Sequence, residues 1–201
     1  MNEFKIDVKD KIVLDVGAST GGFTDCLLQY GAGFIYAIDV GYGQLAWKLR
    51  ENKKVKVLER TNIRYLTFEK LYSGSDKIAN FSVIDVSFIS LKKVIKPVVD
   101  LLEESSEIIP LIKPQFEAGK EYVKKGIVYS SKIHEKVILD LLDFFLQQEL
   151  IVKDITFSPI KGPAGNIEFF LYLIKSKHFD SSKNITQDKI FETVKQAHES
   201  L

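Results

Sequence analysis

The stretch that decides the fold is IVLDVGASTGGFTD, residues 12–25, which joins an apolar run, an acid, a glycine-rich turn and the start of a helix. The β-branched and apolar residues 12–14 predict a buried strand. Glycine at Gly17, Gly21 and Gly22 lets the backbone turn tightly and approach a ligand with no Cβ atom in the way. Strand, loop and helix together predict a cradle for a nucleotide cofactor.

The composition around this stretch is that of an ordinary folded protein. The chain has 201 residues, 45% hydrophobic and 27% charged, with a net charge of +1 that neither requires nor excludes a nucleic-acid partner. The single cysteine, Cys26, excludes an internal disulfide and is expected to be a buried apolar residue of the first helix. No apolar run reaches the roughly 18 residues of a membrane helix, and residues 1–11 are too polar for a standard signal peptide. We therefore expect a cytoplasmic protein with no membrane span.

Apolar runs alternate with helical patterns as far as residue 175. We predict strands at 12–14, 34–39, 55–58, 81–85, 107–113, 150–158 and 167–175, and helices ending near 30 and at 44–51, 65–71, 91–102, 132–148 and from about 187. Pro110 argues mildly against a central position for its strand, and residues 114–130 are expected to form a long functional loop.

This order of elements predicts an α/β fold. Five strands that alternate with helices indicate a doubly wound parallel sheet, and a turn-rich loop between the last two strands adds an antiparallel strand. The expected architecture is a mostly parallel, seven-stranded, Rossmann-like sheet. We expect one domain over residues 1–176, followed by a polar linker and a C-terminal surface helix over 177–201.

The pattern Asp15-x-Gly17-x-Ser19-x-Gly21 indicates which cofactor the loop holds. Dinucleotide folds have glycine where Ser19 stands here, to admit the pyrophosphate. An acid before the loop and a hydroxyl within it resemble the first motif of S-adenosylmethionine methyltransferases, whose cofactor carries no phosphate. Asp15 would orient the loop or meet the cofactor ammonium, unless it is only a turn-capping acid. The cofactor residues predicted in this loop are Asp15, Gly17, Ser19, Gly21, Gly22 and Phe23.

Polar residues at other strand ends extend the predicted site. Asp39, followed by Val40, ends the second strand and is placed to accept hydrogen bonds from both ribose hydroxyls, although a solvated acid is the alternative. Asn62 can bond an adenine edge or simply form a turn. Asp85 and Lys113 end the fourth and fifth strands, and such a pair at adjacent strand ends favours a reactive site over two surface charges.

Six longer motifs carry a family resemblance. They are DVGASTGGFTD (15–25), DVGYGQLAWKLR (39–50), ERTNIR (59–64), IDVSFISL (84–91), LIKPQFEAGKE (111–121) and SPIKGPAGNIEF (158–169). The chain resembles the TlyA, or hemolysin A, family of FtsJ-like RNA ribose 2′-O-methyltransferases. The resemblance implies S-adenosyl-L-methionine as cofactor, ribosomal RNA or ribosomal subunits as partner, and a cytidine ribose as the group methylated.

The same resemblance implies the catalytic residues. FtsJ-like enzymes use a Lys-Asp-Lys-Glu set, whose last three members match Asp85, Lys113 and Glu168. A ribose hydroxyl is a poor nucleophile that must be aligned and deprotonated as the methyl transfers. Two neighbouring acids favour the charged form of Lys113, so positioning is its first expected role and proton acceptance its second.

One departure from the family pattern limits this expectation. The first family lysine lies in an upstream SRGG-like segment that this sequence lacks, and Lys5, Lys9 and Lys11 do not stand in that context. The family's small N-terminal RNA-binding domain is also not matched. We therefore expect residues 1–201 to bind the cofactor but to methylate RNA weakly or not at all.

Three alternatives remain open at this stage. The first is a methyltransferase that acts on a base or a small molecule; exocyclic-amine enzymes of this class typically carry an NPPY-like motif where this chain has DVSF. A membrane-active hemolysin-like protein would need an amphipathic or spanning segment. The third alternative is a cofactor-binding domain that is catalytically incomplete.

Basic clusters and two aromatic residues are the candidates for RNA contact. Either solvation or phosphate binding explains the clusters Lys48, Arg50, Lys53, Lys54 and Lys56; Lys92, Lys93 and Lys96; and Lys120, Lys124 and Lys125. Phe116 or Tyr122 is expected to stack on a splayed base or to pack in the core.

Overall fold

The computed structural model describes residues 3–75, 77–176 and 184–201 and places a seven-stranded sheet at their centre. The strands are β1 (Ile12–Val16), β2 (Phe34–Ile38), β3 (Val55–Leu58), β4 (Ala79–Ile84), β5 (Leu102–Ile112), β6 (Leu150–Phe157) and β7 (Phe169–Lys175). Their order is β3-β2-β1-β4-β5-β7-β6. Strand β7 runs antiparallel to both of its neighbours, and the other described neighbouring pairs are parallel. The predicted fold class is confirmed.

Helices cover both faces of this sheet. They are α1 (Gly22–Gln29), α2 (Trp47–Arg50), α3 (Phe68–Tyr72), α4 (Ile95–Asp100), α5 (Pro114–Glu117), α6 (Ser131–Gln147) and α7 (Gln187–Ser200), with short 3-10 helices at Ile63–Tyr65, Leu91–Lys93 and Lys120–Tyr122. None of the helices in the described ranges is both long enough and apolar enough to cross a membrane.

Two predicted helices were too long. The helix expected over 44–51 is only α2, because Ala46 has extended backbone angles and α2 begins after it. The helix expected over 91–102 is a 3-10 turn followed by α4, which ends at Asp100. Pro97 lies in the first turn of α4, where a missing N–H costs no helical hydrogen bond, and this sets where α4 begins.

The objection based on Pro110 was wrong. Pro110 is buried and pairs with Ile84 of β4, so β5 is a central strand. The register with β7 places Ile108 opposite Leu173 and resumes at Leu111 opposite Phe170, which leaves Pro110 in the gap. Because proline has no N–H to donate, it is tolerated where the ladder is interrupted.

The C-terminal helix is part of the main core and not only a surface element. Helix α7 packs on α6 and β6, and it buries Ile190, Val194 and Ala197. Residues 177–183 of the predicted linker lie outside the described residues. The division of the chain at residue 176 stays a prediction.

The stretch 114–130 is not the irregular loop that we expected. It holds α5, the 3-10 helix Lys120–Tyr122 and a bridge between Lys124 and Ile127. The side chain of Asn166 fastens this stretch, because its oxygen accepts from Val128 N–H (3.0 Å) and its amide donates to Gly126 carbonyl oxygen (2.8 Å). Asn166 thereby joins the segment that follows Lys113 to the segment that precedes Glu168.

Candidate active site

The carboxyl ends of the parallel strands form one cleft of about 430 Å³. A crevice outside these strand ends is where open α/β sheets bind ligands. Six of the residues predicted from the sequence line the cleft: Gly17, Ser19, Asp39, Val40, Asn62 and Asp85.

Gly17 lets the first loop lie directly against the end of β4. Its φ of +88° is in the region that favours glycine, and a Cβ atom there would overlap the carbonyl oxygen of Asp85. The Gly17 N–H donates to Ile38 carbonyl oxygen at 2.8 Å. Any other residue at this position would push the loop away from β4 and alter the floor of the cleft.

Asp39 joins the first loop to the second. Its Oδ2 accepts from Ser19 N–H at 2.8 Å, and its Oδ1 accepts from Gly41 N–H at 2.6 Å. These bonds hold the carboxylate at the cleft wall, while its binding of ribose hydroxyls stays a prediction. Both alternatives for Asn62, a turn former and an adenine contact, agree with its position. Its Oδ1 accepts from Arg64 N–H at 3.1 Å, and the residue also lines the cleft.

Asp15 lies beneath the loop and not at the cleft surface. It is fully buried, and Thr24 Oγ1 of α1 donates to its Oδ2 at 2.5 Å. Burial raises the pKa of this carboxyl to about 7, opposed by the Thr24 hydrogen bond. Its Oδ1 has no hydrogen-bond partner within the described part of the chain. Asp15 therefore contacts the base of α1, which places it to orient the loop.

The remaining loop residues lie away from the main cleft. Gly21 precedes α1 with a φ of +101°, and a Cβ atom on it would overlap the side chain of Leu49 in α2. Its role is close packing of two elements. Gly22, Phe23 and Cys26 line a second depression, which shares Gly17, Ser19 and Asp85 with the main cleft. Cys26 is partly exposed, so the expectation of full burial was wrong.

The three predicted catalytic residues come together at the ends of β4, β5 and the loop before β7. Lys113 Nζ lies 2.5 Å from Asp85 Oδ1 and donates to Ser87 Oγ at 3.0 Å. Glu168 is 8% exposed, and burial raises its pKa, while Lys113 acts to lower it and Asp85 to raise it. A lysine ammonium is thus held among two carboxylates and a hydroxyl.

The cleft lining fits the predicted cofactor. Asp39 and Asp85 line it, and the described residues place no lysine or arginine in its wall. Such a wall favours a cationic, phosphate-free ligand over a dinucleotide, whose pyrophosphate needs positive groups or free N–H groups. Val40 and Ile63 supply apolar surface, and Asn62 supplies an amide, as a purine ring requires. S-adenosyl-L-methionine is such a ligand, since it has a purine ring and a positive charge and carries no phosphate.

Three residues of the site were missed by sequence reasoning: Ser87, Phe88 and Glu117. Phe88 has a φ of +62°, is 91% exposed, and its ring centroid lies 4.9 Å from that of Phe116. Bulky residues rarely adopt this backbone region, so the surrounding structure holds the ring outward. Ser87 and Phe88 lie in the quoted IDVSFISL motif, which was the available signal.

Glu117 also lies in a quoted motif, LIKPQFEAGKE, but no local pattern indicates its partners, which lie 26 and 27 residues away. Its Oε2 accepts from Ser90 Oγ at 2.6 Å, and its Oε1 accepts from Leu91 N–H at 2.7 Å. Burial raises the pKa of this carboxyl. The bonds tie the segment after Lys113 to the segment after Asp85.

Most of the first basic cluster is engaged within the molecule. Lys48 pairs with Asp25 and Arg50 with Glu59, while Lys54 and Lys56 donate to backbone carbonyls. These contacts favour the structural alternative for the cluster, whereas Lys120, Lys124 and Lys125 are exposed. Tyr122, the other candidate for stacking, is 38% exposed.

Comparison with known proteins places this chain in a family. The family model described as FtsJ-like methyltransferase matches residues 1–175. A Bacillus subtilis protein with the provisional name rRNA methyltransferase YqxC is 46% identical over 202 residues, which is 100% of this chain and 71% of that protein. The Mycobacterium tuberculosis 16S/23S rRNA (cytidine-2′-O)-methyltransferase TlyA is 42% identical over 174 residues, 86% of this chain and 63% of that one.

A solved structure agrees with these relatives. A Streptococcus thermophilus protein named as a hemolysin superposes with a TM-score of 0.93 at 42% identity, covering 99% of this chain and 70% of that chain. This chain therefore spans about two thirds of the length of the relatives it matches.

Proposed function

Because this chain belongs to the FtsJ-like methyltransferase family, we propose that it methylates a ribose 2′-hydroxyl of ribosomal RNA, with cytidine as the nucleoside. S-adenosyl-L-methionine is the cofactor, and it supplies an electrophilic methyl group on a good thioether leaving group. The observation that carries the proposal is the position of Lys113, which lies between Asp85, Ser87 and the buried Glu168 beside the cleft.

The geometry supports a positioning role for Lys113. An ammonium has three N–H donors; here one donates to Ser87 Oγ, and the charge forms an ion pair with Asp85. A remaining N–H is available to the oxygen of a substrate hydroxyl, which it can hold beside Asp85 at the wall of the cleft. Alignment of this kind is worth several orders of magnitude in rate.

The hydroxyl proton leaves as the new bond forms, and the site offers acceptors for it. Asp85 lies at the cleft wall, and Glu168 lies beyond Lys113 in a buried position that raises its pKa. A carboxylate with a raised pKa is a better proton acceptor near neutral pH. Lys113 then stabilises the negative charge that develops on the ribose oxygen.

The surface outside the cleft fits a splayed nucleotide. Phe88 projects beside Asp85 with its ring exposed, and Phe116 packs against it. Single-stranded bases stack on such rings when an enzyme takes a nucleotide out of its helix. We assign ribosomal RNA, within ribosomal subunits and in the cytoplasm, as the partner.

Replacement of Lys113 by alanine tests the proposal. With tritiated S-adenosyl-L-methionine and ribosomal subunits, we expect kcat to fall about 10²- to 10⁴-fold, because the hydroxyl loses its anchor. The cofactor Kd, measured by calorimetry, should change less than twofold.

The matched control is Lys195→Ala, an exposed lysine of α7. Equal rates in the wild-type protein and Lys113→Ala would contradict the catalytic assignment. Label in a base exocyclic amine and not in ribose would favour the base-methyltransferase alternative.

The other two alternatives have their own measurements. Leakage of dye-loaded liposomes without methyl transfer would support a membrane-active protein. Cofactor binding without transfer to any ribosomal RNA would support a catalytically incomplete domain. The expectation that residues 1–201 methylate weakly stays a prediction.

A further inference from the structure

An exposed aromatic side chain stands at the rim of the cleft, on the side of the predicted adenosine site. Tyr42 is 68% exposed, and it follows Val40, which lines the cleft. Trp47, at the start of α2 in the same segment, is 69% exposed. Large exposed rings beside a functional cleft indicate a contact surface for a partner.

An arginine covers the Tyr42 ring. The guanidinium carbon of Arg60 lies 4.3 Å from the centroid of that ring, and the Arg60 side chain is exposed. Within the described residues Arg60 forms no ion pair with a carboxylate, while the neighbouring acid Glu59 is paired with Arg50. The Tyr42–Arg60 pair therefore presents a flat ring and an unneutralised charge to solvent.

The pair is held in place by the backbone. Arg60 N–H donates to Gly41 carbonyl oxygen at 2.9 Å, and Glu59 Oε1 accepts from Gly43 N–H at 2.8 Å. Arg60 also has a φ of +50°, which the surrounding structure must maintain. A surface that is ordered before binding loses less conformational entropy on association.

We propose that Tyr42 and Arg60 form a binding site for a single-stranded nucleotide of the RNA substrate, outside the nucleotide that is methylated. A base stacks on the tyrosine and guanidinium planes, and the N–H edge of Arg60 meets a phosphate. Aromatic–arginine pairs suit RNA because every base has a π-face and every linkage carries a negative charge. This inference rests on the proposed function and adds a second contact surface for RNA to the one that Phe88 offers.

Two substitutions separate the stacking from the charge. Arg60→Gln should weaken binding of purified 16S and 23S rRNA about tenfold and reduce the slope of log K against log[salt] by about 0.7, because one phosphate contact is lost. Tyr42→Leu should weaken binding by a similar factor and leave the salt slope unchanged, because stacking releases no counterions.

Matched controls lie away from the cleft. Lys153→Gln removes an exposed positive charge from β6, the strand at the other edge of the sheet, and Tyr30→Leu removes an exposed ring just after α1. Both controls should bind ribosomal RNA as the wild type does. The cofactor Kd should be unchanged in all four variants, and KM for RNA should rise in the two test variants with kcat retained.

Each result decides a separate point. Wild-type affinity and salt slope in both test variants would overturn the inference while leaving the proposed function intact. If the variants lost cofactor affinity in parallel with RNA affinity, the inference would be overturned, because the Tyr42–Arg60 pair would then act by covering the bound cofactor. If the wild-type chain bound no ribosomal RNA, the proposed function would fail and this inference with it.

Discussion

Two aspartates near one glycine loop behave differently because their surroundings differ. Asp39 lies at the cleft wall and accepts hydrogen bonds from two backbone N–H groups, those of Ser19 and Gly41. Asp15 is fully enclosed, with one hydroxyl donor and one oxygen that lacks a partner in the described part of the chain. Burial without sufficient donors raises the pKa of Asp15 to about 7. Asp39 is therefore the acid that we expect to contact the cofactor directly, whereas Asp15 supports the loop.

The raised pKa of Asp15 predicts how stability depends on pH in the cofactor-free protein. Because the folded state binds this proton more tightly than the unfolded state, the contribution is fully present below about pH 4 and is lost as the pH rises through about 7. Urea unfolding of the wild type should show a loss of up to roughly 4 kcal/mol across this window. Asp15→Asn, which mimics the neutral acid, should not show it.

The control for this experiment is Asp140→Asn, an exposed acid of α6. It should follow the wild-type pH profile. Parallel profiles for the wild type and Asp15→Asn would show that Asp15 ionises in the folded protein as it does in the unfolded chain.

At the scale of elements, the site depends on two segments that leave adjacent strands. The segment after β4 carries Asp85 and Phe88, and the segment after β5 carries Lys113, Phe116 and Glu117. Four kinds of contact join them: the Lys113–Asp85 ion pair, the Lys113–Ser87 hydrogen bond, the Phe88–Phe116 ring pair and the Glu117 hydrogen bonds. These contacts hold the reactive groups on rigid strand ends, so the site needs little further ordering when substrate binds.

Removal of the Glu117 carboxylate should loosen both segments. Glu117→Ala leaves Ser90 and the Leu91 N–H without their acceptor, which costs about 1–3 kcal/mol in the free energy of unfolding. We expect kcat for methyl transfer to fall about tenfold with the cofactor Kd retained, because the reacting groups lose alignment.

Glu117→Gln, which keeps the shape and one acceptor oxygen, should recover most of the activity. Glu121→Ala, an exposed acid in the next helical turn, is the matched control. A loss of stability in Glu117→Ala with no change in kcat would limit Glu117 to a purely structural role.

At the scale of the whole molecule, the cleft is assembled from loops that come from both halves of the sheet. The loops after β1 and β2 supply the predicted cofactor wall, and the ends of β4 and β5 supply Asp85 and Lys113. A ligand in this cleft contacts elements that are distant in the chain. Its binding should therefore stabilise the fold as a unit.

Thermal unfolding measures this coupling. At a concentration 100 times its Kd, S-adenosyl-L-methionine should add about 2.7 kcal/mol of stability and raise the Tm of a chain of this size by roughly 5–10 °C. Asp39→Ala should lose most of this shift, because Asp39 is the predicted partner of the ribose hydroxyls. ATP at the same concentration should produce little shift, because no cation of the described cleft wall would meet its phosphates. Equal shifts with both ligands would contradict the proposed selectivity.

The sequence by itself determined the fold class, the glycine loop and the identity of the acids and the lysine at the strand ends. These features are local, because strand periodicity, glycine turns and short motifs are encoded in residues that are adjacent in the chain. Helix lengths were less accurate, as α2 and α4 show, because caps and single backbone angles decide where short helices begin and end.

Only the tertiary structure decided what these residues touch. Asp85, Lys113 and Glu168 come together because strand crossovers bring their segments to one end of the sheet. Pro110 is tolerated in a central strand because the pairing of β5 with β7 is interrupted there, and Asp15 is buried against α1. The same is true of Glu117 and of the Tyr42–Arg60 pair, whose members lie far apart in the chain. Burial and long-range hydrogen bonds depend on strand order and on the packing of whole elements, and no local pattern specifies them.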